Sequence, residues 1–125
     1  MKSCTDREQG RMLAEILPKE SSDMYACRDT HWLRLWERKF GNHQDVAFTR
    51  GAYGKENVVP IWSLAALLEV IPNVVVENFV DKTYVVSAHK EIDGVGYAYL
   101  GGADADNPVD ACVELIEKLH KEGVI

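Results

Sequence analysis

Cysteine is scarce in this chain. Cys4, Cys27 and Cys112 are spread over 125 residues, and no two of them stand in a CxxC pair. An odd, dispersed set supplies neither a disulfide framework nor the paired ligands of a zinc site, and it fits a reduced, cytoplasmic setting. Long apolar runs are missing too. The densest, VVPIWSLAALLEVIP at residues 58–72, falls short of the roughly twenty apolar residues a bilayer span requires, so no membrane span is expected. The first 17 residues read as charged and then amphipathic, without the apolar core of a signal peptide. Positive charge is in deficit. A net charge of −6 repels phosphate backbones, which makes nucleic acid an unfavourable partner unless the basic residues cluster in space.

What is present suits one folded domain over residues 1–125: 46% hydrophobic and 27% charged residues are ordinary globular proportions, and neither repeats nor low-complexity tracts divide the chain. At the N-terminus, Thr5 with Glu8 forms a T-x-x-E capping-box pattern. Met12, Leu13, Ile16 and Leu17 then supply an apolar helix face, and Pro18 stops the run. Gly10 inside it costs about 1 kcal/mol relative to Ala, so this helix is expected to lean on tertiary packing. Within residues 58–72, Leu64, Leu67, Leu68 and Ile71 recur at helical spacing after Ser63, a residue suited to capping. Trp62, which abuts that helix, is a core candidate.

Residues 24–40 are ambiguous. Trp32, Leu33, Leu35 and Trp36 match helical spacing, but the same stretch splits into two strands, 24–28 and 31–37, joined around Asp29-Thr30. The hairpin is favoured, because aromatic and Cys residues are poor helix formers and MYAC reads as a strand. Residues 41–57 form a long polar stretch in which 46–50 could make an edge strand. Further on, residues 74–80, 83–90 and 95–100 are rich in Val, Tyr, Phe and Ile and are separated by Asp81-Lys82 and Asp93-Gly94, the pattern of a three-stranded meander. In the third strand Val95, Tyr97 and Tyr99 alternate with Gly96, Ala98 and Leu100, giving a bulky face and a smaller one open to close helix approach. The last helix is the best specified: Asn107 caps, Pro108 opens, Asp110 sits near the positive end, and Lys118, His120 and Lys121 near the negative end. Val109, Cys112, Val113, Ile116 and Leu119 form its apolar stripe, and Gly123 ends it. The expected architecture is α+β: an antiparallel sheet built on the meander and extended by strands of the first half, with about three helices packed on one face.

Two segments, VPIWSLAALLEVIP and DNPVDACVELIEKLHKEG, carry a further signal. Through Pro60, Trp62, Ser63, Leu64, Ala66, Leu67 and Leu68, then Asn107, Pro108, Val109, Asp110, Ala111, Cys112, Val113 and Glu114, the chain resembles a family of short proteins encoded in phages and prophages of gut bacteria. The resemblance implies a phage-related accessory protein and assigns no catalytic residue.

Candidate sites are few. Asp104, Asp106 and Asp110 around a Gly-bearing loop could hold a hard cation, which would suit a small hydrolase or metal-dependent enzyme. The EF-hand pattern fails there, and the alternative is a solvated turn beside a helix N-terminus. Arg50-Gly51-Ala52-Tyr53-Gly54-Lys55 lacks the Walker spacing and reads as a surface loop. His31, His43 and His89 are scattered, and Cys112 is better placed as a buried hydrophobe than as a nucleophile. Aromatic residues and Arg together are the usual makings of a contact surface. That singles out Trp32, Arg34, Trp36, Arg50 and Tyr53, with one of the two tryptophans buried and the other at a surface. The reading is a cytoplasmic, non-enzymatic protein-interaction module with no cofactor, an unidentified protein partner and scope for a homo-oligomer. A third alternative is an acidic inhibitor that imitates nucleic-acid charge.

Overall fold

A computed structural model describes residues 2–29, 32–37 and 58–125, with the backbone alone for Lys19, Tyr25, residues 27–29 and 32–37, and Val58. Helix α1 spans Arg7–Ile16. Its capping box lies one residue later than the Thr5 and Glu8 pattern: the Asp6 carboxylate accepts from the Gln9 N–H at 2.8 Å, and the Gln9 side chain accepts from the Asp6 N–H at 3.1 Å. The reason is that Thr5 is committed elsewhere. It is buried, its N–H donates to the Trp62 carbonyl at 2.9 Å, and its hydroxyl accepts from the Trp62 N–H at 3.1 Å. A short 3-10 turn, Lys19–Ser21, follows.

Strands β1 (Met24–Asp29) and β2 (Trp32–Glu37) pair antiparallel from Asp29 opposite Trp32 to Met24 opposite Glu37, so residues 24–37 are a hairpin and not a helix. Strand β3 (Val58–Ile61) pairs with the other side of β1, giving the order β2-β1-β3. Pro60 stands on the edge strand of this sheet, where a missing N–H removes no ladder bond. The edge strand expected at 46–50 lies outside the described residues.

Helix α2 (Leu64–Val70) begins where the Ser63 hydroxyl accepts from the Ala66 N–H at 3.2 Å. The Asp23 carboxylate holds Ser63 in place, accepting from its hydroxyl and, at 2.9 Å, from its N–H. The meander follows as β4 (Val75–Asn78), β5 (Tyr84–Ile92) and β6 (Gly96–Ala105), all antiparallel in the order β4-β5-β6. Among the described residues it is a separate three-stranded sheet; the strands of the first half do not extend it. Helices join the two sheets instead. Helix α3 (Pro108–Lys121) lies on β5 and β6 and meets α1 and α2, while α1 lies on β3.

The third strand runs on through Gly101, Gly102, Ala103, Asp104 and Ala105, a stretch whose glycines and acids suggest a loop. A bulge explains its length. The register shifts between Ala88 and His89, where Gly101 faces Ala88, Tyr99 faces His89, and Leu100 is the extra residue. After the bulge, Gly101, Ala103 and Ala105 fall on the face turned to α3. A Cβ at Gly101 would sit 3.5 Å from Leu119 Cδ2 and 3.7 Å from Leu115 Cδ1. Small residues here, rather than Gly96 and Ala98, let the helix come close. Val86, Ala88, Ala103, Val109, Cys112, Leu115, Ile116 and Leu119 bury together with Leu13, Trp62 and Leu67 in one core.

Candidate interaction surface

Helix α3 occupies one face of the β4–β6 sheet, and among the described residues no helix covers the other. Strand alternation and the register place four cross-strand rows on that outer face: Glu77, Val85 and Asp104; Val75, Ser87 and Gly102; His89 and Tyr99; Glu91 and Tyr97. Val75 is 42% exposed, Tyr97 64% and Tyr99 68%, large values for apolar and aromatic side chains in neighbouring rows. Tyr99 reaches forward along its strand over Gly102, where a Cβ would stand 2.6 Å from its hydroxyl. Glycine is needed at 102 for the ring to lie against the sheet. His89 meets Tyr99 edge to face, with ring centroids 5.9 Å apart at 70°.

At the rim of this face Asn73, with φ of 43°, turns the chain into β4. Its side-chain amide donates to the His89 carbonyl at 3.1 Å, and its own carbonyl lies 3.1 Å from His89 Nδ1. A carbonyl can only accept, so Nδ1 carries the proton and a neutral ring keeps its lone pair on Nε2. Asn73, Val74, Val75, His89 and Tyr97 line an open cleft of about 370 Å³. Its walls are apolar and aromatic with one oriented imidazole, an arrangement suited to holding a side chain of another molecule.

Of the three aspartates of the candidate cation site, Asp106 and Asp110 share the Asn107 amide, and Asp104 is not gathered with them into a cluster of three. Asp104 stands on the outer face of β6, Asp106 accepts from the Asn107 side chain at 3.0 Å, and Asp110 is occupied by the N-terminal segment. Among the described residues no group of three or more His, Cys, Asp or Glu could hold a metal ion. Asp110 accepts from Lys2 Nζ at 2.8 Å, from the Gln9 amide at 2.8 Å and from the Asn107 amide at 2.7 Å. Partial burial alone would push its carboxyl up. The three hydrogen bonds and the Lys2 charge outweigh that and hold it at about 2, below the ordinary 3.8. A depressed value in the fold means the tie stabilises above the unfolded pKa and is lost as pH falls through about 2. Asp110→Asn should therefore cost about 1 kcal/mol at neutral pH, a figure discounted for the exposure of the pair. The difference from the wild type, followed by urea denaturation at several pH values, should shrink to nothing between about pH 4 and pH 2.

Cys112 lies at 0% exposure in the core stripe of α3, and burial pushes its thiol up to about 12. With so little thiolate and no access, it should resist alkylation in the native protein and react once urea unfolds the chain. Rapid native labelling, read by peptide mass, would mean that α3 presents another face. Trp62 is likewise fully buried, as its place beside α2 suggests.

Of the residues singled out as a contact surface, Trp32, Arg34 and Trp36 occupy alternate positions of β2, opposite Asp29, Cys27 and Tyr25 of β1. Arg50 and Tyr53 lie outside the described residues, as do His31 and His43. The outer face of the second sheet was not among the candidates, although Tyr97 and Tyr99 alternate with small residues in plain view. The smaller face of that alternation is the one open to a helix, and Tyr97 and Tyr99 on the bulky face are left exposed. Comparison with protein-family models, with curated proteins and with solved structures finds no match to this chain.

Proposed function

We propose that this chain is a non-enzymatic protein-interaction module, a cytoplasmic accessory protein of phage or prophage origin, that uses the outer face of its second sheet to hold a protein partner. The observation that carries the reading is the exposure of Val75, Tyr97 and Tyr99 around the His89 cleft, on a sheet whose other face is filled by α3. Tyrosines with rigid rings and few rotamers are effective contact residues, and a cleft beside them offers an anchor point. The phage context rests on the resemblance carried by residues 60–68 and 107–114. Among the described residues no helix is long and apolar enough to cross a membrane, which is compatible with this setting. Trp32, Arg34 and Trp36 on β2, with Arg50 and Tyr53, form a second part of the proposed contact surface.

The test is affinity capture from the native host with the wild type and with Tyr97→Ser combined with Tyr99→Ser. Both tyrosines are exposed, so the double variant should keep its melting temperature within a few degrees and lose the captured protein. Unchanged capture by a folded double variant would remove this face from the function. Trp36→Ala serves as the same test for β2.

A further inference from the structure

Edges decide what a small sheet can bind, and the two edges of the second sheet differ. On the β6 side, Lys118 of α3 reaches over and its ammonium donates to the Gly102 carbonyl at 3.2 Å. A lysine laid across an edge strand is a common guard against further pairing. Among the described residues no lysine is laid across strand β4 in this way. Its sequence is Val-Val-Glu-Asn, without lysine, proline or bulge, and all four residues are exposed, Val75 and Val76 at 42% each. The Phe79 N–H donates to the Thr83 carbonyl at 2.9 Å, which fixes the alternation of the ladder. Glu77 and Val75, two and four residues back, turn their backbone groups to β5, so Val76 and Asn78 turn theirs to the open side.

The charge of this sheet is predominantly negative. The sheet and its turns carry Glu77, Asp81, Glu91, Asp93, Asp104 and Asp106 against Lys82 and Lys90. On the outer face Glu77 and Asp104 flank Val85 in one row, about 10 Å apart across three strands, and none of the rows contains Lys or Arg. Resting on the reading of this sheet as the contact surface, we infer that the open edge of β4 receives an extended, basic segment of the partner protein as a fourth strand. Main-chain bonds to Val76 and Asn78 would hold it, with an apolar side chain beside Val75 and an Arg or Lys beside Glu77. A second copy of this chain fits less well, since pairing β4 with β4 sets two acidic sheets side by side.

The inference can be tested with defined probes: a fluorescein-labelled decapeptide alternating Val and Arg, the same peptide with Glu for Arg, and the Val/Arg peptide N-methylated at alternate residues. Fluorescence anisotropy should show binding of the Val/Arg peptide alone. Val76→Pro removes an outward N–H without touching the β5 ladder and should weaken binding at least tenfold. Glu77→Lys, a surface change that leaves the fold intact, should weaken it about tenfold and flatten its salt dependence. Equal binding of the Glu or N-methylated peptide, no binding of the Val/Arg peptide at millimolar concentration, or wild-type affinity in Glu77→Lys would each overturn the inference. So would a concentration-dependent dimer in sedimentation that Val76→Pro abolishes, because the edge would then be taken by a second copy. Loss of native-host capture in the double tyrosine variant, with capture intact in Glu77→Lys and Val76→Pro, would sink the edge while leaving the interaction module standing. Capture unaffected by all of these changes would sink both.

Discussion

Trp62→Ala is expected to lower the free energy of unfolding by about 3–5 kcal/mol, a large fraction of what holds a domain of this size together. The side chain is fully buried, and truncation to Ala leaves a cavity the size of an indole in the core it shares with Leu13, Leu67 and α3. A second loss comes from hydrogen bonds. The indole N–H donates to the Ser21 hydroxyl at 2.9 Å, and that hydroxyl donates in turn to the Pro18 carbonyl at 2.5 Å, so Trp62 also fixes the 3-10 turn that leads into β1. Its backbone exchanges two bonds with Thr5, which places the N-terminal segment beside β3. Trp62→Phe keeps most of the volume but leaves Ser21 without its donor, and should cost about 1–3 kcal/mol. Urea denaturation of the three proteins checks both figures. A cost below about 1 kcal/mol for Trp62→Ala would mean that the indole is not where these contacts place it.

Local signals carried the helices well because each has its own caps and stripe. Asn107, Pro108 and the residues 109–119 specify α3 almost completely; Ala111 and Leu115 widen the stripe because the helix is covered by the sheet on one side and by α1 and α2 on others. Ser63 likewise caps α2 as its place in the sequence suggests. The hairpin at residues 24–37 was legible from composition, since Tyr, Cys and Trp fit a pleated surface better than a helix.

What escaped is of another kind. Thr5 and Glu8 make a sound capping pattern, but the chain spends Thr5 on Trp62, a contact 57 residues away that no local rule contains. The bulge at Leu100 moved the helix-facing small residues from Gly96 and Ala98 to Gly101, Ala103 and Ala105, and so turned an apparent acidic loop into the end of a strand. Asp104 belongs to a strand and Asp110 to a tie with Lys2, a separation that no local spacing rule contains. The exposed tyrosine face follows from the alternation of β6, in which Tyr97 and Tyr99 share the side away from α3.

Gly10→Ala runs against the sequence-level expectation. In an exposed helix interior this change gains about 1 kcal/mol, because Ala is the better helix former. Here the expected result is a net loss of about 2–3 kcal/mol. A Cβ at Gly10 would fall inside hard contact distance of the Pro60 carbonyl oxygen, with Val59 Cγ1 at 3.0 Å and Ile61 Cδ1 at 3.3 Å. A side-chain tip could swing away, but Pro60 is backbone of β3 and is held in register opposite Tyr25 of β1. Helix α1 would have to lift off the strand, loosening Leu13 and Leu17 in the core and straining the Thr5 to Trp62 bonds. Overpacking of that sort costs 1–3 kcal/mol or more, enough to outweigh the propensity gain when the obstruction is main chain. Arg11→Ala, one residue along on the exposed side, is the control and should stay within about 0.5 kcal/mol of the wild type. If Gly10→Ala proves as stable as the wild type in urea or thermal melts, α1 does not rest on β3 as described, and Gly10 is only a weak point in a helix.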